Sequence, residues 1–119
     1  MKNIILSAIF LFVIFYVATF IFGPMNLFYE IWWLDIPTHI LGGIAITSLT
    51  ISLLKYFNLE INYKRIFISI LIVAILWEIY EYLNYIFFGV EWGGVFDTIK
   101  DIFDGIFGAT LAYFIYKKR

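Results

Sequence analysis

Glu78, Glu81, Asp97, Asp101 and Asp104 are five of the nine carboxylates in this chain, and all five fall inside runs otherwise apolar enough to cross a bilayer. The only histidine, His39, lies in another such run, one helical turn after Asp35. Imidazole and carboxylates at i, i+3 and i+4 spacings on facing helices can hold one or two divalent cations in a bundle core. A charged acid at the centre of a membrane helix costs roughly 2.5 to 3.5 kcal/mol on insertion scales, so a group of them must be paired, protonated, hydrated or metal-bound. The candidate ligands are His39, Glu78, Glu81, Asp97, Asp101 and Asp104. Their mixed oxygen and nitrogen donors favour Mg, Mn, Fe or Zn over a metal selected by thiolate. Cysteine is absent, which removes both a disulfide framework and a thiolate site.

The elements that must position these residues follow from composition. The 119 residues are 64% hydrophobic and 14% charged, with a mean hydropathy of +0.96, which describes a membrane protein and excludes a soluble domain of this size. Nothing in the charge pattern suggests nucleic acid as a partner; membrane lipids are the expected surroundings.

The expected fold is all-α: one polytopic domain over residues 1–119, built as a four-transmembrane-helix bundle. The helices are placed at about 4–22, 36–57, 65–88 and 95–116. The first is read as an uncleaved anchor, because its apolar stretch is too long for a signal peptide and no small-x-small cleavage site follows. A short aromatic segment from Asn26 to Leu34 suits the headgroup level. Asp35 is placed as the cap of the second helix, with Pro37 in its first turn.

Lys2, Lys55, Lys64, Arg65, Lys117, Lys118 and Arg119 fall on one side of a four-span arrangement, and they are seven of the eight positive residues. The positive-inside rule then puts both termini in the cytoplasm of a multi-pass protein of the cell (plasma) membrane. The acids gather in the outer halves of helices two, three and four, the deepest about 10 to 15 Å in by helical rise. At about 100° per residue, Asp97, Asp101, Asp104 and Gly108 share a stripe of helix four, and Asp35, His39, Gly42 and Ile46 share one on helix two. Gly42-Gly43 and the small residues Gly105, Gly108, Ala109 and Ala112 would let backbones approach just below the acids. Helix one has no ionisable residue within its span and is expected to pack outside the other three. Lys100 is expected to pair with Asp97 or Asp104.

Three motifs on successive helices, Asp35-x3-His39-x2-Gly42, Trp77-Glu78-x2-Glu81-Tyr82 and Asp97-Thr98-x2-Asp101-x2-Asp104-x3-Gly108-Ala109, together resemble the VanZ-like membrane proteins, particularly the YjdF-type branch. The resemblance covers about residues 35 to 110 and implies a small helical membrane protein with a shared polar site. Asp101-x2-Asp104-Gly105 is also similar to the opening of the metal-binding signature of CDP-alcohol phosphotransferases, but the Ala-Arg pair and the two further acids of that signature are missing.

Three functions fit these residues. One is a metal-dependent hydrolase or transferase acting on a lipid or lipid-linked headgroup at the outer leaflet. The second is proton or cation transport, with an oligomer of this chain as its setting. The third is an accessory subunit whose ion is structural.

Overall fold

A backbone in hydrocarbon must satisfy its own N–H and C=O groups, and the apolar runs of this chain do so as helices. The computed structural model describes residues 1–23, 25, 30–90 and 92–118. Helix α1 spans Lys2–Tyr16 and continues as a wider, i→i+5 bonded turn over Val17–Phe22. Helix α2 is Asp35–Tyr56, α3 is Tyr63–Phe88 and α4 is Gly94–Lys118; no strand occurs among the described residues. With the Val17–Phe22 turn counted as part of α1, all these bounds lie within two residues of those expected from the apolar runs.

The ends have local causes. Asn62 caps α3, its Oδ1 accepting from the Arg65 N–H at 3.0 Å, so the helix begins at Tyr63 rather than at Arg65. Gly89 closes it in the left-handed conformation at φ 67°. Asp35 is not the expected cap: Leu34 takes that position without a side-chain cap bond, and the Asp35 carboxylate faces other helices instead. The aromatic segment expected from Asn26 falls at residues 26–29 outside the described residues. Trp32 and Trp33, which follow, are exposed.

Helices α1, α2 and α3 are long and apolar enough to cross a membrane, and the 44 Å long axis of the molecule matches a bilayer with its headgroups. Helix α4 has a similar length but carries Asp97, Lys100, Asp101 and Asp104 in its first half. It nevertheless packs into the bundle, making its most extensive contacts with α2 and further ones with α3. Its outward side shows Phe103 at 66% and Phe107 at 55% exposure, a surface that only lipid would leave stable. Half-buried hydroxyls on α2 bond back along the helix: Thr38, Ser48, Thr50 and Ser52 each donate to the carbonyl four residues earlier at 2.8–2.9 Å.

Without a hydrophobic drive between helices in lipid, close packing holds a bundle together. Gly43 and Gly108 supply it here. A Cβ on Gly43 would strike the Gly105 carbonyl, and one on Gly108 would strike the Ile40 carbonyl, so α2 and α4 touch backbone to backbone. Gly42, expected to share this role, has open space before it. Away from the acids, Ile46, Ile51, Ile66, Ile70, Ala109 and Tyr113 form an apolar core. Helix α1 has no buried residue and lies against α2, as expected of the helix without ionisable groups.

Candidate metal centre

The acids converge because α2 and α4 run parallel and α3 runs against both. Lys100 near the start of α4 reaches Asp35 at the start of α2, while Lys55 near the end of α2 lies over the Tyr116 ring near the end of α4, 4.7 Å from its centroid. The Gly crossing just below then brings side chains of the three helices to one level.

One side of the cluster is organised by cations. Lys100 Nζ donates to Asp101 Oδ1 at 2.9 Å, to Asp104 Oδ2 at 3.1 Å and to Asp35 Oδ2 at 3.3 Å. His39 Nε2 lies 3.1 Å from Asp35 Oδ1 and 3.4 Å from Asp101 Oδ2. Two basic groups therefore serve three carboxylates, which suits an imidazole nitrogen that carries its proton.

On the other side, Glu78 and Glu81 have no salt-bridge partner among the described residues. Glu78, Glu81 and Asp101 each offer a carboxylate oxygen within 4.8 Å of the other two. Glu81 Oε1 accepts from the Trp77 indole N–H at 2.8 Å. Glu78 is 7% exposed, and its Oε2 is buried without a hydrogen-bond partner among the described residues. Asp101, 2% exposed, belongs to both sides.

Buried charges are ordinarily paired or metal-bound, and a buried acceptor left unpaired costs about 1–3 kcal/mol, more when charged. The oxygens of Glu78, Glu81 and Asp101 are separated by distances that one cation with bonds of about 2.0–2.6 Å can bridge with small side-chain rotations. An oxygen-rich set of this kind fits Mg or Mn well, and His39 would add nitrogen only by giving up its place between Asp35 and Asp101.

Of the six expected ligands, His39, Glu78, Glu81 and Asp101 come together. Asp104 sits beside them as a partner of Lys100 and belongs to neither three-residue group. Asp97 stands apart: its carboxylate folds back over Gly93 at the start of α4, where an acid suits the helix dipole. The expected pairing of Lys100 within α4 holds for Asp104, but sequence reasoning missed Lys100 as the link from α4 to α2, with Asp35 as its further partner. The available signal was that Lys100 is the one Lys or Arg that does not fall on the side of the other seven. Tyr82 and Tyr85 pack their rings on Trp92.

Between α3 and α4 a groove of about 270 Å³ is lined by Ile75, Glu78, Ile79, Tyr82, Trp92, Thr98 and Ile102.

The chain belongs to the family described as "Predicted membrane protein (DUF2238)", whose model matches residues 2–119. Neither the curated proteins nor the solved structures contain a match to it.

Proposed function

Starting from membership of a membrane-protein family, we propose that this chain is a four-span protein of the cell membrane that holds a divalent cation at Glu78, Glu81 and Asp101 and acts there on a lipid or lipid-linked headgroup. The observation that carries this reading is the α3 side of the cluster, where Glu78 and Glu81 meet Asp101 and neither glutamate has a salt-bridge partner among the described residues. A divalent ion would balance that charge and, when bound, would supply Lewis acidity toward a polar headgroup. Lys100 and His39 hold the neighbouring acids in place, with Asp101 Oδ1 bonded to Lys100 and Oδ2 3.4 Å from His39.

The finer features follow the same reading. The Lys and Arg distribution supports cytoplasmic termini and a site on the outer side. The three motifs on α2, α3 and α4 support a relationship to the VanZ-like, YjdF-type proteins. A proton or cation pathway is the competing use of intramembrane acids, and it is disfavoured by the apolar core of Ile46, Ile51, Ile66, Ile70, Ala109 and Tyr113, which fills the bundle below the site.

Elemental analysis of the detergent-purified protein, before and after chelation and reloading with Mg or Mn, tests the proposal. The expected result is about one divalent ion per chain, lost in Glu78→Gln and Glu81→Gln. Protein that takes up no ion on reloading, or variants that keep it, would remove the metal from these residues.

A further inference from the structure

The end of the bundle away from the acid cluster carries the opposite charge. Lys55 near the end of α2, Lys64 and Arg65 at the start of α3, and Lys117 and Lys118 at the end of α4 are set against one carboxylate, Glu60 in the α2–α3 loop. No salt bridge engages any of them among the described residues. Three have a local reason to be there: Lys55, Lys117 and Lys118 lie in last turns, where a cation offsets the helix dipole. Lys64 and Arg65 have no such reason. They stand in the first turn of α3, which holds no acid and where the dipole adds to their charge instead of offsetting it. Arg65 Nη1 donates to the Glu60 carbonyl at 2.9 Å, a bond that orients the guanidinium without neutralising it. The loop beside these cations is apolar, with Tyr56, Phe57 and Leu59 at 51%, 63% and 50% exposure. Exposed apolar side chains next to unpaired cations suit the headgroup level of a bilayer.

We propose that Lys64 and Arg65, beside the apolar 56–59 loop, bind the phosphate of an anionic phospholipid such as phosphatidylglycerol. Two observations choose the occupant. The unpaired charge selects an anion, and the exposed Tyr56, Phe57 and Leu59 select one that arrives attached to hydrocarbon chains. A guanidinium presents paired N–H groups that match phosphate oxygens, and an ammonium beside it adds a point charge. A zwitterionic lipid brings its own ammonium to the same place and so gains less from the two cations. The site is independent of the metal centre, because Arg65 lies about 20 Å along α3 from Glu78 by helical rise. Its role is to fix the depth of the α2–α3 end in a leaflet that carries negative charge.

Photolabelling of the full chain in phosphatidylcholine nanodiscs tests the assignment, with phosphatidylglycerol or phosphatidylcholine carrying a photoreactive group near the head of one acyl chain as the probes. Adducts of the phosphatidylglycerol probe are expected to concentrate on residues 56–67, at least about fivefold above those of the phosphatidylcholine probe, the scale of one basic residue near an anionic headgroup. The preference should vanish in Lys64→Gln/Arg65→Gln and largely survive in Lys117→Gln/Lys118→Gln. Salt at about 1 M should erase it in the unaltered protein, which tests the site without any substitution. Thermal melting of the same samples confirms that each variant is folded. Equal labelling by the two probes, a preference that withstands salt, or one that survives the loss of Lys64 and Arg65 would each overturn the proposal. An equal loss in Lys117→Gln/Lys118→Gln would also overturn it, because the attraction would then belong to the whole charged end. Displacement of the probe by excess inorganic phosphate would do the same, by showing a site for a free anion in place of a lipid.

Discussion

The two sides of the acid cluster share Asp101 and little else. Toward α2, Lys100 and His39 touch every carboxylate present, and the charges close on one another. Toward α3, two glutamates approach the same aspartate without a salt-bridge partner among the described residues. The first side explains how α4 tolerates its charges inside a bundle; the second cannot be explained by stability, because packed apolar residues would serve better there. A polar group that satisfies itself is architecture, and one left unsatisfied beside it is a place for something else.

The sharpest way to break this contrast is to remove the residue on which it turns. Asp101→Asn should cost about 3 kcal/mol, the scale for breaking a buried ion pair, because Lys100 and His39 each lose their most buried partner. It should also abolish metal uptake. Thermal melting in detergent and metal content, measured on one preparation, report the two effects separately. Loss of metal with unchanged melting would mean that Asp101 serves the α3 side alone.

Lys100→Met asks the converse. The Lys100 side chain is 40% exposed, so solvent screening limits its contribution and a loss of about 1–2 kcal/mol is expected. Freed of its ammonium, Asp101 should bind a divalent ion at least as tightly as before, because the local charge becomes more negative. Weaker metal binding in this variant would show that the ammonium positions Asp101 for the ion, and the two sides would then be one device.

Much of this arrangement was legible in the residues. Apolar runs broken at Gly89 and before Asp35 located four helices to within two residues, because nothing else can satisfy a backbone in lipid. The common depth of His39, Glu78, Glu81 and Asp101 followed from helix count and rise. What failed was rotation between helices. A stripe at 100° intervals groups Gly42 with His39 but does not say which neighbouring glycine meets the opposite backbone, and Gly43 does. The same blindness hid Lys100: local spacing paired it within α4, whereas the close crossing of α2 and α4 brings Asp35, 65 residues away in sequence, within 3.3 Å of it. Asp97 shares the stripe of Asp101 yet lies one turn above the convergence, where its carboxylate turns to the start of its own helix.

An unpaired oxygen is not in itself a sign of a ligand, and Thr47 provides the control. It is 1% exposed on α2, and its Oγ1, like Glu78 Oε2, has no partner among the described residues. It differs in surroundings. Thr47 follows Ile46 of the apolar core, is not among the residues that line the α3–α4 groove and belongs to neither carboxylate group. Thr47→Val keeps the branched shape while removing a hydroxyl that was desolvated without return, so the melting temperature should rise by the equivalent of about 1 kcal/mol. Metal content and lipid labelling should not move. Glu78→Gln retains the shape of its residue in the same way, yet it should lose the ion. If instead Thr47→Val lowered stability and metal content together, the orphaned oxygens would be coupled through the bundle, and the line between a self-satisfied architecture and an open site would have to be redrawn below Gly43.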